Sequence, residues 1–423
     1  MFDKETHQVG RGQNTSQYQE RATAVTITMN RNTHPAIVTV RPSEPLQILQ
    51  VQTPNPVDNE VKLIVQWTAS GPLDHHQASA HLLVTPPQIL GDGVAGTVLQ
   101  VGPNVTRYKP GDEVFGFVWR NAKEKAHQLY CVAPENLLGK VPEGKSMQEA
   151  VVLGNNFVTV WHVFTSDFGF ELPWDRGVEG GAKGKPDEYK PRKNETETED
   201  GRKKWILVWG GSSSCGMYGI QVLKYYGYEN IIAVAGSKHH ETLNRYGAKE
   251  CFDYRGGGDV VERVKEFVRK DGGEVSYIFD CIGSQDGSLR PVARIAGADG
   301  CRIAILLPVI VKDAAPGTKP EYEMDVTSCA DWAKNVTPFG VRTHFWMDNK
   351  VLADTLQTEI MPWALETGVI EPNEQIVVEG HTMLERAQSA MDMLRDKKVS
   401  GGRLVWRIAE EGQIAEALEE LKQ

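Results

Sequence analysis

One segment of the chain combines the residue types that bind the phosphates of a dinucleotide. It reads Gly-Gly-Ser-Ser-Ser-Cys-Gly and directly follows the apolar run Trp205–Trp209. A buried strand that turns sharply into a helix presents the unpaired N–H groups of the helix N-terminus to a pyrophosphate. The alternative is a tight strand-to-helix turn that holds no ligand. The residues predicted to bind the dinucleotide are Gly211, Ser212, Ser213, Ser214, Cys215 and Gly216.

The end of the next apolar run, residues 231–235, indicates which dinucleotide binds. Sites that prefer NAD place an acidic residue near this point, where it binds the ribose hydroxyls. Here residues 235–240 contain no carboxylate, and Ser237 and Lys238 stand in that stretch. A hydroxyl and an ammonium group bind a 2′-phosphate by hydrogen bonding and charge, so the pair predicts NADP(H). A solvated lysine at the start of a helix is the alternative interpretation of Lys238.

The elements that must position these residues show two different sequence patterns. Residues 34–140 are short runs rich in Val, Ile and Leu, separated by Pro and Asn clusters, as strands and turns are. Residues 205–307 alternate apolar runs with helical segments, which predicts a mainly parallel sheet. The tail beyond residue 375 returns to strands around one amphipathic helix. The predicted fold class is therefore α/β, with a mainly-β domain beside a doubly wound parallel-sheet domain.

Two segments follow neither of these sequence patterns. Residues 1–33 are polar and predict a flexible N-terminal extension. Residues 166–204 contain glycine-rich stretches and a run of Thr and acidic residues at 194–200, and we expect an exposed insertion there. A solvated loop is the preferred interpretation of this insertion, and a lid over the cofactor cleft is the alternative.

Composition excludes several classes of partner. The formal net charge of −10 disfavours nucleic acid, because phosphate binding requires clustered cationic surface. The sequence contains no stretch of about 20 apolar residues, so it predicts no membrane span. The six cysteines are scattered without CxxC spacing, which predicts neither a disulfide framework nor a zinc ribbon. We therefore expect a protein of the reducing cytoplasm that acts on a small molecule.

Four further segments carry a family resemblance. They are residues 90–98 (Leu-Gly-Asp-Gly-Val-Ala-Gly-Thr-Val), 101–105, 109–116 (Lys-Pro-Gly-Asp-Glu-Val-Phe-Gly) and 398–405. Together with the glycine loop they resemble the medium-chain dehydrogenase/reductase superfamily over residues 34–409. The likeness is greatest to its zinc-free quinone-oxidoreductase-like and enoyl-reductase members, including fungal trans-acting enoyl reductases. It implies a GroES-like catalytic domain at 34–165 and 345–423 and a Rossmann NADP(H)-binding domain at 205–344.

The resemblance also implies positions for further site residues. Tyr254 is expected at the adenosine phosphate, and Thr159 beside the nicotinamide as a catalytic candidate. The alternative for isolated residues such as Cys281 and Phe339 is packing in the core. The other implied cofactor contacts are Pro72, Asp74, His75, Cys281, Ile282, Leu307, Pro308, Val399 and Ser400, and the implied substrate contacts are Phe157, Phe339 and Gly340.

The chain departs from its relatives where catalysis is expected. The His-Glu ligand pair of zinc-dependent members is replaced by Asp92-Gly93, so we predict no metal. The Asn-Pro-x-Asp segment of zinc-free members, followed by an aromatic residue and a lysine, keeps its proline and aspartate but has His76 at the lysine position. An imidazole donates a proton near neutral pH, so His76 is a candidate general acid. A surface histidine is the equal alternative.

These features predict an NADPH-dependent oxidoreductase. It transfers hydride to an activated C=C bond, of enoyl, enone or polyketide type, or to a quinone or carbonyl. Two alternatives stay open: a cofactor-retaining isomerase or cyclase without net redox, and a non-catalytic NADPH-binding partner protein. The resemblance implies a substrate that is free or tethered to a carrier, and a chain that is a monomer or a homodimer.

Overall fold

The computed structural model describes residues 32–172, 174, 203–297, 299–315 and 318–422. Residues 1–31 of the expected extension and 173 and 175–202 of the expected insertion lie outside this part of the chain. The start of the insertion is not exposed, contrary to expectation. Phe168 and Phe170 are fully buried there because their rings pack against each other and against Tyr277.

The secondary-structure elements follow in chain order. The strands are β1 (Thr33–Thr39), β2 (Gln47–Gln52), β3 (Glu60–Ser70), β4 (Gln88–Ile89), β5 (Gly93–Val101), β6 (Glu113–Phe117), β7 (Tyr130–Pro134), β8 (Gly139–Lys140), β9 (Trp205–Trp209), β10 (Ile231–Val234), β11 (Glu250–Phe252), β12 (Val275–Asp280), β13 (Arg302–Leu306), β14 (Val309–Lys312), β15 (Glu321–Glu323), β16 (Thr337–Val341), β17 (Glu374–Val377) and β18 (Gly402–Arg407). The α-helices are α1 (Pro72–Ala80), α2 (Met147–Val151), α3 (Gly154–His162), α4 (Ser214–Tyr225), α5 (His240–Tyr246), α6 (Val260–Lys270), α7 (Arg290–Ile295), α8 (Lys350–Thr355), α9 (Met361–Glu366), α10 (Met383–Arg395) and α11 (Glu411–Glu420).

The first unit is built on a seven-stranded sheet. Its order is β17-β18-β3-β5-β6-β8, with β7 also paired to β3, and only the β17–β18 pair is parallel. The tail strand β18 lies beside β3 because its apolar residues Leu404, Val405 and Trp406 are fully buried there. A small sheet, β2-β1-β4, completes the unit. The tail strands β17 and β18 therefore lie in the same sheet as the strands of the β-rich region.

The second unit is a six-stranded parallel sheet. Its order is β11-β10-β9-β12-β13-β16. Counted from β9 this is 3-2-1-4-5-6, the order of doubly wound dinucleotide-binding sheets. All five residues of β9 are buried, as in a strand covered on both faces. The predicted fold class is confirmed, and all six strands end at the same edge.

Helices α3 and α4 join the two units. The phenol of Tyr218 on α4 donates to the carbonyl of Val152, just before α3, at 3.2 Å. The Cys215 thiol lies 3.5 Å from the side-chain oxygen of Asn156 on α3. One apolar cluster continues across this contact from α3 into the parallel sheet, so the units share a core. In the part of the chain that the structure describes, no helix is long and apolar enough to cross a membrane.

The side chain of Gln357 holds the end of β6 through two hydrogen bonds, and its replacement tests their contribution to stability. Its side chain accepts the Phe117 N–H at 2.6 Å and donates to the Phe117 carbonyl at 3.1 Å, in a fully buried position. Replacing it by leucine, Gln357→Leu, keeps the volume but leaves both backbone groups unpaired. We expect a loss of about 2–4 kcal/mol in unfolding free energy, measured by urea titration.

Thr358→Ala is the matched control, because that hydroxyl bonds only the Asp354 carbonyl on its own helical turn in the contacts observed. Its effect should stay within about 0.5 kcal/mol. Equal effects of the two substitutions would contradict the role given to Gln357.

Candidate functional site

The glycine loop connects β9 to α4 at the carboxyl edge of the parallel sheet. Gly210 adopts a φ of +76°, in the left-handed region that favours glycine. Ser213 is the N-cap of α4, since its hydroxyl accepts the Gly216 N–H at 3.1 Å. The other N–H groups of the first helical turn have no partner within the helix and are available to an anion.

The three glycines form a cradle that side chains would fill. A Cβ atom on Gly216 would lie 2.5 Å from the Gly210 carbonyl oxygen and 2.8 Å from the Gly211 Cα. On Gly211 it would lie 3.0 Å from the Cβ of Ala233. Bare backbone therefore lets α4 approach β9 and β10 closely. This geometry fits the pyrophosphate of a dinucleotide.

Ser237 and Lys238 are exposed in the turn that follows β10. The Ser237 N–H donates to a carboxylate oxygen of Asp253 at 2.8 Å. A carboxylate from beyond β11 therefore does reach the end of β10, which inspection of residues 235–240 alone overlooked. The backbone N–H groups of Arg255 and Ser237 hold the pKa of Asp253 well below its usual range.

Cationic side chains surround that carboxylate. The Arg255 Nε lies 3.4 Å from Asp253, and its guanidinium lies 5.1 Å from the ring centre of the exposed Tyr254. His239 adds a third basic group beside Lys238, and burial followed by the Lys238 charge lowers its pKa. Lys238, His239 and Arg255 thus offer an anion three basic side chains.

The loop that contains Val399 and Ser400 reaches this end of the site. The Ser400 hydroxyl lies 2.9 Å from His239 Nε2. Val399 is half-buried and packs against the shared core. The loop before β18 therefore bridges the two units beside the adenosine end of the predicted site.

Cys281, Ile282, Leu307 and Pro308 lie at the same edge on the other side of the glycine loop. The first pair follows β12 and the second follows β13. The Cys281 N–H donates to the Trp209 carbonyl at 2.9 Å, which holds it beside the loop. Burial raises the pKa of the Cys281 thiol well above its usual range. Ile282 is exposed, with 43% of its surface accessible.

Thr159 is on α3 and lies beside the residues that follow β16, the last strand of the parallel sheet. Its hydroxyl donates to the Asn155 carbonyl at 2.7 Å and lies 2.8 Å from the hydroxyl of Thr343. Thr343 and His344 begin the turn that follows β16. His344 is an exposed residue, and its ring lies 5.7 Å from the Trp119 ring and 6.1 Å from the Phe117 ring. Residues of both units therefore meet here.

His76 is buried rather than open to a cleft. Its Nδ1 lies 2.6 Å from the phenol oxygen of Tyr322 on β15. Burial, with a smaller contribution from His75, lowers the pKa of His76 to about 4, so the ring is neutral at pH 7. The pKa of His75 is lowered by burial and responds to Arg395 and Asp392 on α10. The two neighbouring rings thus face different surroundings.

Pro72 and Asp74 form the start of α1. Pro72 is the first residue of the helix, a position that suits proline. The buried Asp74 carboxylate accepts the N–H of Gly71 at 2.9 Å and that of Gly91 at 3.2 Å. Burial raises its pKa. In the structure Asp74 holds α1 against the loop before β5, and its cofactor contact stays a prediction.

A buried polar cluster lies between α3 and the start of β5. One Asp92 carboxylate oxygen accepts the Asn155 amide at 3.0 Å, and the Asn155 oxygen lies 3.5 Å from the Arg403 guanidinium. Three polar atoms of the cluster are buried without a hydrogen-bond partner among the residues that the structure describes. They are Asp92 Oδ1, Asn156 Nδ2 and Arg403 Nε. Burial, followed by the charge of Asp74, raises the pKa of Asp92 to about 6.

The predicted substrate contacts are divided between core and edge. Phe157 is 1% exposed and packs in the shared core with Trp161. The Phe339 ring stacks 5.2 Å from the Arg302 guanidinium. A Cβ on Gly340 would lie 2.8 Å from a methyl group of Leu307, so Gly340 adjoins a residue that is predicted to contact the nicotinamide.

Sequence inspection did not select five residues that the structure places beside predicted site residues or in the buried polar cluster: Asp92, Arg255, Tyr322, His344 and Arg403. Arg255 directly follows Tyr254, and the rule that ligands bind at carboxyl ends of parallel strands could have found His344 after β16. The other three had no local signal, because their partners are distant in the chain. No group of three or more His, Cys, Asp or Glu side chains able to hold a metal occurs among the residues the structure describes.

Comparisons with known proteins agree with this geometry. The alcohol dehydrogenase GroES-like domain matches residues 57–162, and the zinc-binding dehydrogenase family matches 215–303. The chain is 29% identical to the trans-enoyl reductase resD of Aspergillus sclerotiorum over 385 residues, 88% of this chain and 99% of that protein. It is 30% identical to the dehydrogenase orsE of Emericella nidulans over 274 residues, 62% of this chain and 74% of that protein.

A solved structure shares the fold. The quinone oxidoreductase of Escherichia coli complexed with NADPH superposes with a TM-score of 0.62 at 17% identity, covering 88% of this chain and 99% of that chain.

Gly216→Val tests the cradle. A branched side chain must displace α4 from the loop, so we expect dinucleotide affinity to fall at least about tenfold, which is about 1.4 kcal/mol. Cofactor fluorescence titration measures the affinity. Gly412→Val is the control, since a Cβ there has nothing within 4 Å. Unchanged affinity in Gly216→Val would contradict the assigned site.

Proposed function

Because the chain belongs to the medium-chain dehydrogenase/reductase superfamily and resembles its zinc-free members, we propose that it is an NADPH-dependent reductase of a carbon–carbon double bond activated by a carbonyl group. The observation that carries the proposal is the carboxyl edge of the parallel sheet. Loops after β9, β10 and β11 present the glycine cradle and basic side chains, and those after β12, β13 and β16 lead to the junction of the two units. A quinone or carbonyl compound is the other substrate class that the relatives support.

The residues of this edge bind and orient the cofactor. A reduced nicotinamide, when bound, supplies the hydride. The N-terminus of α4 holds the pyrophosphate, while Ser237, Lys238 and Arg255 hold the 2′-phosphate. Cys281, Ile282, Leu307 and Pro308 line the nicotinamide. The chain's own contribution is orientation and exclusion of water from the junction.

The substrate enters beside Thr159 and His344. The stacked rings of Phe117 and Trp119, with centroids 4.4 Å apart, give this region an apolar wall that suits an acyl chain. An enoyl group of polyketide type, free or tethered to a carrier, is consistent with the names of the fungal relatives.

We also propose a cytoplasmic location and leave the choice between monomer and homodimer to measurement. All six cysteines are buried free thiols, as expected in a reducing compartment. Analytical ultracentrifugation of the purified chain decides its oligomeric state.

The activity is tested by incubating the purified protein with NADPH and three probes. These are an α,β-unsaturated thioester of N-acetylcysteamine, a benzoquinone and an aldehyde, and the saturated thioester is the control. We expect NADPH loss coupled to formation of the saturated product. Tight NADPH binding without turnover of any probe would contradict the proposal, and product formed without NADPH loss would favour an isomerase or cyclase.

The preference for NADPH is tested with Lys238→Ala and Arg255→Ala. Each removes a charged partner of the 2′-phosphate, so the Kd of NADPH should rise about tenfold, because such bonds contribute about 1.5–3 kcal/mol. The Kd of NADH should stay unchanged. Lys270→Ala is the control, since that exposed lysine pairs with Glu266 on its own helix. Equal losses for NADPH and NADH would contradict the assignment.

A further inference from the structure

We propose that His344 and Asp92 form a proton-delivery pair, in which His344 protonates the substrate and Asp92 orients the imidazole from behind. The inference rests on the proposed reduction of an activated double bond. It names the acid of that reaction, for which sequence reasoning had offered His76.

The position of His344 is the first support. It follows β16, the sixth strand, at the same carboxyl edge as the loops assigned to the cofactor. The hydrogen bond between Thr343 and Thr159 holds its turn against α3, and Phe117 and Trp119 flank its ring from the β-rich unit. His344 is exposed, so a substrate at this junction can reach the imidazole.

The state of Asp92 is the second support. Asn155 fixes one carboxylate oxygen, and the other is buried without a hydrogen-bond partner among the residues described. A buried acceptor that lacks a donor is costly, so this oxygen is available to a nearby N–H. Asn155 on α3 binds Asp92, and Thr159, one turn further along α3, binds Thr343 next to His344, so the carboxylate and the imidazole both lie against this helix. The imidazole of His344 is the N–H group that the proposal assigns to this oxygen.

The charges around the pair oppose one another. Partial desolvation of the imidazole lowers the pKa of His344, the Asp92 charge raises it, and the Lys125 ammonium lowers it by a smaller amount. Asp92 in turn faces Asp74 on α1, Lys125, and Arg403 on β18. The carboxylate of Asp92 is therefore the group that favours the protonated imidazole.

His76 lacks these properties. It is 9% exposed, and its Nδ1 is engaged with Tyr322. Its surroundings are α1 and the β14–β15 hairpin, whereas Thr159 and His344 lie at the junction of α3 and β16.

The reduction adds one hydride and one proton across the double bond. A bound reduced nicotinamide would supply the hydride, two electrons and one proton, to the β-carbon and would itself be oxidised, and the π electrons of the substrate would move to its carbonyl as an enolate. The enolate α-carbon then bonds the His344 proton, and the N–H electron pair stays on the ring nitrogen. Solvent restores the proton, since His344 is an exposed residue at the edge of the sheet.

The main test is His344→Asn, assayed with the unsaturated N-acetylcysteamine thioester and NADPH in deuterated water. We expect kcat to fall at least about 100-fold with little change in the Kd of NADPH. Deuterium at the α-carbon should lose its preference for one face, while hydride delivery to the β-carbon keeps its own. His381→Asn, at an exposed histidine before α10, is the control and should match the wild type.

A second measurement does not depend on turnover. The imidazole of His344 is titrated by NMR in the cofactor-free protein, in the wild type and in Asp92→Asn. We expect the pKa of His344 to fall in the variant, because the neighbouring negative charge is gone. An unchanged pKa would overturn the pairing even where the buried substitution lowers stability, provided the histidine signal remains that of folded protein.

The outcomes separate the two proposals. A wild type that reduces the thioester, with a His344→Asn variant that keeps its kcat and its α-face preference, overturns the proton-delivery pair alone. A wild type that binds NADPH but reduces none of the three probes overturns the proposed function, and proton delivery with it.

Discussion

The packing of α3 on α4 is the contact on which the rest of the site depends. Through it a helix of the β-rich half, with Asn156 and the adjoining Val152, contacts Cys215 and Tyr218 of the helix that follows the glycine loop. The same α3 carries Asn155 toward Asp92 and Thr159 toward Thr343. A rotation of α3 would therefore move the predicted phosphate cradle and the predicted substrate groups relative to each other.

A buried arginine near α3 offsets the effect of burial on two carboxyl groups. Asp74 and Asp92 are both buried, and burial raises the pKa of each because it disfavours their charged forms. The Arg403 guanidinium opposes that effect on both and is linked to Asp92 through the Asn155 amide. A cation held by the chain itself thus lies against Gly71, where any Cβ would overlap the guanidinium.

How well the sequence predicted a feature depends on how far apart in the chain its interacting residues lie. Strands β9, β10 and β12 and helix α10 were predictable because their apolar patterns are local. The glycine loop was equally local, since its strand, turn and helix are contiguous. The buried cluster was not, because Arg403 meets Asn155 across 248 residues and His76 meets Tyr322 across 246. Its residue type and its place in the family segment selected His76, and only the fold shows that it is buried.

The cysteines at the predicted cofactor edge have a chemical consequence. An unsaturated carbonyl compound, the class of substrate proposed here, is an electrophile that adds to thiolates. Burial raises the pKa of Cys215 to about 12 and that of Cys281 well above its usual range, so both remain thiols at neutral pH. The thiol form is a poor nucleophile. Burial in this way protects the thiols at the predicted cofactor edge from alkylation by the proposed class of substrate.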